Sequence, residues 1–136
     1  MKAEAFLRDI EARQRLINAM MDTAGKYFRI SRRAGTIDDG TIKAFVDLAS
    51  LIQRESATLY AQVETAREMM ARMDNERAKL FIELRYFQGL KIQSVMNAMH
   101  CSRSSVHRIQ REALAEVQAL MDAGEIGAQE GERCPT

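Results

Sequence analysis

Two long stretches of the chain repeat apolar residues every three or four positions, the spacing that gathers them on one face of an α-helix. The first, from about Ala3 to Ser31, carries Phe6, Ile10, Ile17, Met20, Ala24 and Tyr27. Arg13 is its one polar interruption, and Leu7, Leu16, Met21 and Phe28 widen the stripe. The second, about Thr41 to Met73, carries Ile42, Phe45, Ala49, Ile52, Ser56, Leu59, Val63, Ala66, Met70 and Met73, with only Ser56 polar. Strict three-four alternation of this kind is a heptad seam that seeks a partner helix. Between the stretches, Ser31 to Gly40 holds Gly35, Asp38, Asp39 and Gly40 and reads as a loop. Gly35 ends the first helix, and Asp38, Asp39 or Thr41 caps the second.

Helices of this size reach about 45 Å. A lone hairpin of that length leaves apolar flanks such as Leu48, Leu51 and Tyr60 uncovered. The seam therefore predicts a homodimer or higher homo-oligomer, with a purely intramolecular bundle as the alternative.

The pattern shortens after Asp74-Asn75, either of which can cap a new helix from Glu76 to Gln88 with Leu80, Phe81, Leu84 and Phe87 inward. Gly89 stops it. A short helix follows, about Lys91 to Met99, with Ile92, Val95, Met96 and Met99 apolar. His100-Cys101 makes a tight turn, and Ser102 is placed to cap a last helix by accepting from an amide near Ser104 or Ser105. Val106, Ile109, Ala113, Leu114, Val117 and Leu120 form the inner face of that helix. From Asp122 the chain is glycine-rich and aperiodic, which predicts a flexible tail.

The expected fold class is all-α: a long N-terminal helical hairpin or coiled coil, followed by a C-terminal helix-turn-helix. The expected division is residues 1–74, 75–121 and 122–136. Composition supports it, because 46% of the 136 residues are apolar, tryptophan is absent and there is a single proline. No run approaches the roughly 18 to 20 apolar residues of a membrane span, and the start of the chain lacks a signal-peptide core. The expectation is a cytoplasmic protein (the cytoplasm of a bacterial host) with no membrane partner. Cys101 and Cys134 are expected to be ordinary reduced thiols.

Net charge is only +1, but it is unevenly spread. From Leu84 to Arg111 there is no Asp or Glu, while Arg85, Lys91, Arg103, Arg108 and Arg111 give +5 locally. A basic, acid-free stretch on a neutral chain is the footprint of a nucleic-acid surface. Two short helices joined by a tight turn place the first across the DNA backbone and the start of the second in the major groove. The residues expected to bind double-stranded DNA are Lys91, Ser102, Arg103, Ser104, Ser105, His107, Arg108 and Arg111. Arginine forks onto guanine or phosphate, and the free amides of a helix start suit a phosphate. No metal site, cofactor site or catalytic constellation emerges: His100 and His107 lack further ligands, and the serines beside His107 are explained by capping and phosphate contact. The expectation is not an enzyme.

The stretch LFIELRYFQGLKIQSVMNAMHCSRSSVHRIQREAL resembles the helix-turn-helix of sigma-factor region 4 and its phage relatives. Leu84-Arg85-Tyr86, Gly89, Val95, Met99, Ser102, Ser105-Val106 and Ala113-Leu114 carry the resemblance. His100 stands where the pattern has glycine, so it must take a positive φ. Met96 stands where a small residue is usual, which predicts looser packing of the two helices. The order of a helical N-terminal half and this module also resembles small phage regulators of the RinA/ArpU late-transcription type. That resemblance implies a phage or prophage transcriptional regulator that also touches RNA polymerase. The alternatives are a small terminase subunit for DNA packaging and a polymerase adaptor without DNA binding.

Overall fold

The computed structural model describes residues 2–35 and 38–133, and side chains as far as residue 124. The order is α1 (Lys2–Ala34), α2 (Asp39–Met70), α3 (Glu76–Ile82), a π-helical turn (Glu83–Phe87), α4 (Ile92–Met99) and α5 (Arg103–Arg133). The all-α expectation holds: no strand occurs among the described residues. None of the described helices is long and apolar enough to cross a membrane.

The helix ends follow the sequence signals. Gly35 takes φ +70° and terminates α1. Of the three candidate caps, Asp38 holds the start of α2, its carboxylate accepting from the Thr41 amide at 2.6 Å. That donated N–H favours the ionised form and lowers the Asp38 carboxyl below its ordinary range. Asn75 caps α3 by accepting from the Ala78 amide at 3.1 Å.

α1 and α2 pack as an antiparallel hairpin. Leu7, Ile10, Ile17 and Met20 are buried along α1. Arg13, the polar break in that stripe, meets its answer on α2: it pairs with Glu55 and donates to Gln62 at 3.0 Å. The α2 seam faces inward only at its C-terminal end. Ala66, Met70 and Met73 are buried and Leu59 and Val63 half-buried, but Ile42 and Phe45 are 46% and 41% exposed. Toward the N-terminal end the inward positions are instead Ala44 and Leu48, and the two series meet at Ile52 and Leu59 with Glu55 between them. The cause is helical phase. On a straight helix a seven-residue repeat drifts about 20° per heptad, so the roughly three and a half heptads between Phe45 and the end of α2 at Met70 rotate the seam by about 70°. Of the flanks expected to stay uncovered, Leu51 and Tyr60 are exposed and Leu48 is half-buried.

The second difference lies before Gly89. The expected continuous helix with Leu80 and Leu84 inward is replaced by α3 and a π turn, closed by the Gln88 amide donating to the Glu83 carbonyl at 2.9 Å. The extra residue in that turn shifts the phase. Leu80 is 45% exposed and Leu84 only half-buried, while Phe81, Ile82, Tyr86 and Phe87 are buried. The Phe81 and Tyr86 rings meet edge to face at 6.0 Å.

α5 buries Val106, Ile109, Ala113, Leu114 and Val117 as its periodicity requires. The backbone past Asp122, expected as a flexible tail, continues as α5 to Arg133. Once a helix is nucleated on a packed segment, each added residue closes one further hydrogen bond, and the intervening Ala, Glu and Gln favour this. Cys134 lies outside the described residues.

One apolar core joins these elements. Ala3, Leu7 and Ile10 of α1 and Ala66, Met70 and Met73 pack with Phe81, Tyr86, Val95, Val106, Ile109 and Val117. The Ala3 amide donates to Gln118 of α5 at 2.8 Å. The boundary at residue 74 falls in the turn between α2 and α3, and the core runs across it.

Candidate nucleic-acid interface

The recognition geometry starts from two left-handed residues. Gly89, at φ +69°, ends the π turn, and the Leu90 amide donates back to the Leu84 carbonyl at 3.0 Å. α4 then runs for eight residues with Val95 and Met99 buried. It ends at His100, φ +53° and ψ +48°. The amides of Cys101 and His100 donate to the carbonyls of Met96 (3.1 Å) and Asn97 (3.4 Å). These are the two bonds of a Schellman stop, normally built on glycine. Met96 is half-buried at the edge of the core, where the sequence pattern expected a smaller residue.

α5 begins three residues after His100. Ser102 Oγ accepts from the Ser105 amide at 3.2 Å, as a cap should, and lies 3.2 Å and 3.0 Å from the hydroxyls of Ser104 and Ser105. Ser105 is half-buried in this cluster, so its hydroxyl serves the cap. Val106 and Ile109 face the core, which turns Arg103, Ser104, His107, Arg108 and Arg111 outward. Their spacing by three and four residues gathers them on one face of the first turns of α5. Among the described residues none of Arg103, Arg108 and Arg111 forms an ion pair with an acid. The nearest acids along α5 are turned elsewhere: Glu112 accepts from Asn75 at 3.5 Å, and Glu116 accepts from the Asp74 amide at 3.1 Å. The result is an exposed cationic face at a helix start whose free amides also carry positive potential.

Lys91 stands apart from this face. It precedes α4, is exposed, and lies about 12 Å of helix from the turn at His100. Arg85, counted among the local positive charges, is not on the α5 face. It is half-buried, donates to the Leu90 carbonyl at 2.7 Å and pairs with Glu11 of α1 at 3.4 Å. Sequence reading missed two groups here. Gln93 and Asn97, bonded to each other at 3.2 Å, give α4 a polar outward edge beside the turn. Being uncharged, they leave no mark on a charge profile.

A family model described as ECF sigma factor matches residues 8–122. Among curated proteins, the chain is similar to the DNA-directed RNA polymerase subunit beta' of Stenotrophomonas maltophilia (strain K279a), 28% identical over 93 residues. That alignment takes in 68% of this chain but 7% of the relative's length, so it is a likeness to one segment of a far larger protein. No solved structure matches the chain.

Proposed function

The chain belongs to the ECF sigma factor family, whose model spans most of the hairpin and the whole helix-turn-helix, and from that premise we propose that it is a non-catalytic transcription regulator that binds duplex DNA. α5 enters the major groove with Arg103, Ser104, His107, Arg108 and Arg111 facing the bases and phosphates, and Lys91 meets the backbone beside α4. The observation that carries this reading is the outward face of α5: its cations are exposed and unpaired among the described residues, directly after a capped turn. The finer reading is a phage or prophage regulator of the RinA/ArpU type, supported by the order of hairpin and helix-turn-helix. Homo-oligomerisation through the uncovered end of the hairpin would set half-site spacing.

A second reading is a polymerase adaptor that does not bind DNA. It is favoured by the family and by the exposed apolar side chains Phe28, Ile42, Phe45 and Val46 at the hairpin's far end. Fluorescence anisotropy on duplex DNA across a salt series separates the two. For a DNA binder, affinity falls steeply with salt, and Arg103→Ala and Arg108→Ala each weaken it. Absence of binding to any duplex, with a folded protein, leaves the adaptor. Light scattering on the same samples gives the mass: a dimer fits the regulator, and a ring of eight or more, a count judged from fold-level analogy, fits a packaging subunit.

A further inference from the structure

Glu11 is the one charged residue the fold buries among those described, at 8% exposure. A carboxylate is costly to bury unless it is paired and hydrogen-bonded. Two arginines satisfy it: Arg15 at 2.6 Å, one turn along α1, and Arg85 at 3.4 Å, from the π turn. Arg8, paired with Glu4 at 2.5 Å, borders the same open cleft, which is lined by Arg8, Glu11, Ala12, Arg15 and Arg85. Three arginines thus line one open cleft with Glu11 as the acid among its lining residues, and Glu4 stands beside it, paired with Arg8.

The buried carboxylate orders the cleft. It fixes Arg85 and Arg15 while using few of the five N–H donors that each guanidinium carries. Arg15 and Arg8 remain more than half exposed, so they present their remaining donors to solvent. Planar guanidiniums held in place with spare donors suit the tetrahedral oxygens of a phosphate.

The position of the cleft indicates which phosphate. Arg85 also holds the Leu90 carbonyl, one residue before Lys91 and two before α4 begins. The α1 cleft therefore adjoins the end of α4 that the helix-turn-helix reading sets against the DNA backbone. On each strand phosphates follow one another about every 3.4 Å of rise. Lys91 follows the residue that Arg85 holds, so a backbone gripped at Lys91 would pass beside the Arg85 end of the cleft.

We propose that Arg8, Arg15 and Arg85 form a second phosphate clamp, on the hairpin rather than on the helix-turn-helix, that grips the DNA backbone beyond Lys91. The inference rests on the DNA-binding reading and extends its footprint to α1. The clamp carries no sequence information. It adds affinity and salt dependence, and the α5 face supplies the choice of sequence.

The test compares wild type, Arg8→Ala, Arg15→Ala and their double variant on a mixed-sequence duplex across a salt series. Arg54→Ala serves as a charge-matched control on the exposed side of α2. Thermal unfolding verifies that each variant is folded. Each lost phosphate contact lowers the slope of log affinity against log salt by about 0.9, so the double variant loses about 1.8 while Arg54→Ala keeps the wild-type slope. A double variant with the wild-type slope, beside weakened Arg103→Ala and Arg108→Ala, overturns the clamp and leaves the helix-turn-helix reading intact. A fall in the Arg54→Ala control as large as that of Arg8→Ala or Arg15→Ala also overturns it, because net charge alone then explains the effect. A wild type that binds no duplex overturns both.

Discussion

His100 should be a net cost to the fold, and replacing it with glycine should stabilise the protein. Its φ of +53° and ψ of +48° lie in the left-handed region, where the Cβ of an L-residue crowds the following carbonyl. That conformation costs a non-glycine residue roughly 1–2 kcal/mol. Glycine escapes the clash but gives the unfolded chain extra freedom, which returns about 0.4–1 kcal/mol of the gain. The imidazole is exposed and makes no hydrogen bond among the described residues, so little else is lost. The balance is a net stabilisation of about 0.5–1 kcal/mol. With an unfolding entropy near 2.1 cal/mol/K per residue, a chain of this length converts that into a rise of about 2–4 °C in Tm. The comparison that isolates the backbone effect is His100→Gly against His100→Ala, since alanine removes the imidazole but keeps the Cβ. Calorimetry should place the glycine variant above the alanine variant by that margin. Equal melting temperatures, or a lower one for glycine, would refute the argument from left-handed strain.

Three further outcomes follow from the same accounting. Ser102→Ala removes the cap of α5 and should cost about 1 kcal/mol, seen as a lower denaturant midpoint and faster amide exchange at Ser105. Gly89→Ala places a Cβ at φ +69°; the space there is open, so the penalty is the backbone's own, roughly 1–2 kcal/mol, read by chemical unfolding. The Asp9 carboxyl is lowered below 3.8, first by the side-chain hydrogen bond from Gln62 and then by Arg13. Its contribution is therefore complete above the unfolded value and lost as pH falls through the folded one. Asp9→Asn should differ from wild type at neutral pH and approach it only as pH falls from 3.8 through the lower folded value in acid titrations of stability.

Much of this architecture was legible because it rests on local rules. Gly35, Gly89 and Ser102 terminate or cap helices through their own backbone and hydroxyl chemistry, and those signals survive without knowledge of the partners. The exposed face of α5 was legible for a related reason: Val106 and Ile109 fix which side is inward, and helical geometry then places Arg103, His107 and Arg108 on the other. What sequence could not give was phase over distance. The α2 seam reads as one stripe from Ile42 to Met73, yet helical phase turns it toward solvent by the time it reaches Phe45. The π turn shifts the phase over a shorter span, turning Tyr86 inward and leaving Leu84 half-buried. Pairing was equally hidden. Arg85 counts as free positive charge in the sequence, and only the fold brings Glu11 to it from 74 positions away.

That pairing bears on how the helix-turn-helix is held. α4 has eight residues, far below the length at which an isolated helix is stable in water, and no side chain caps its start. Its placement must come from its neighbours. Val95 and Met99 share the core with Val106 and Ile109, which sets α4 against α5. The loop entering α4 is fixed from the other side, where Arg85 holds the Leu90 carbonyl and is itself tied to Glu11 of α1. The N-terminal helix therefore helps to set the angle at which α4 presents its leading end, although it lies far outside the motif in sequence. A hairpin that served only to join copies would have no need of Ala3, Leu7 and Ile10 in the same core as α5. It packs as one unit with α4 and α5, and the family match from residue 8 to 122 likewise crosses both halves without a break.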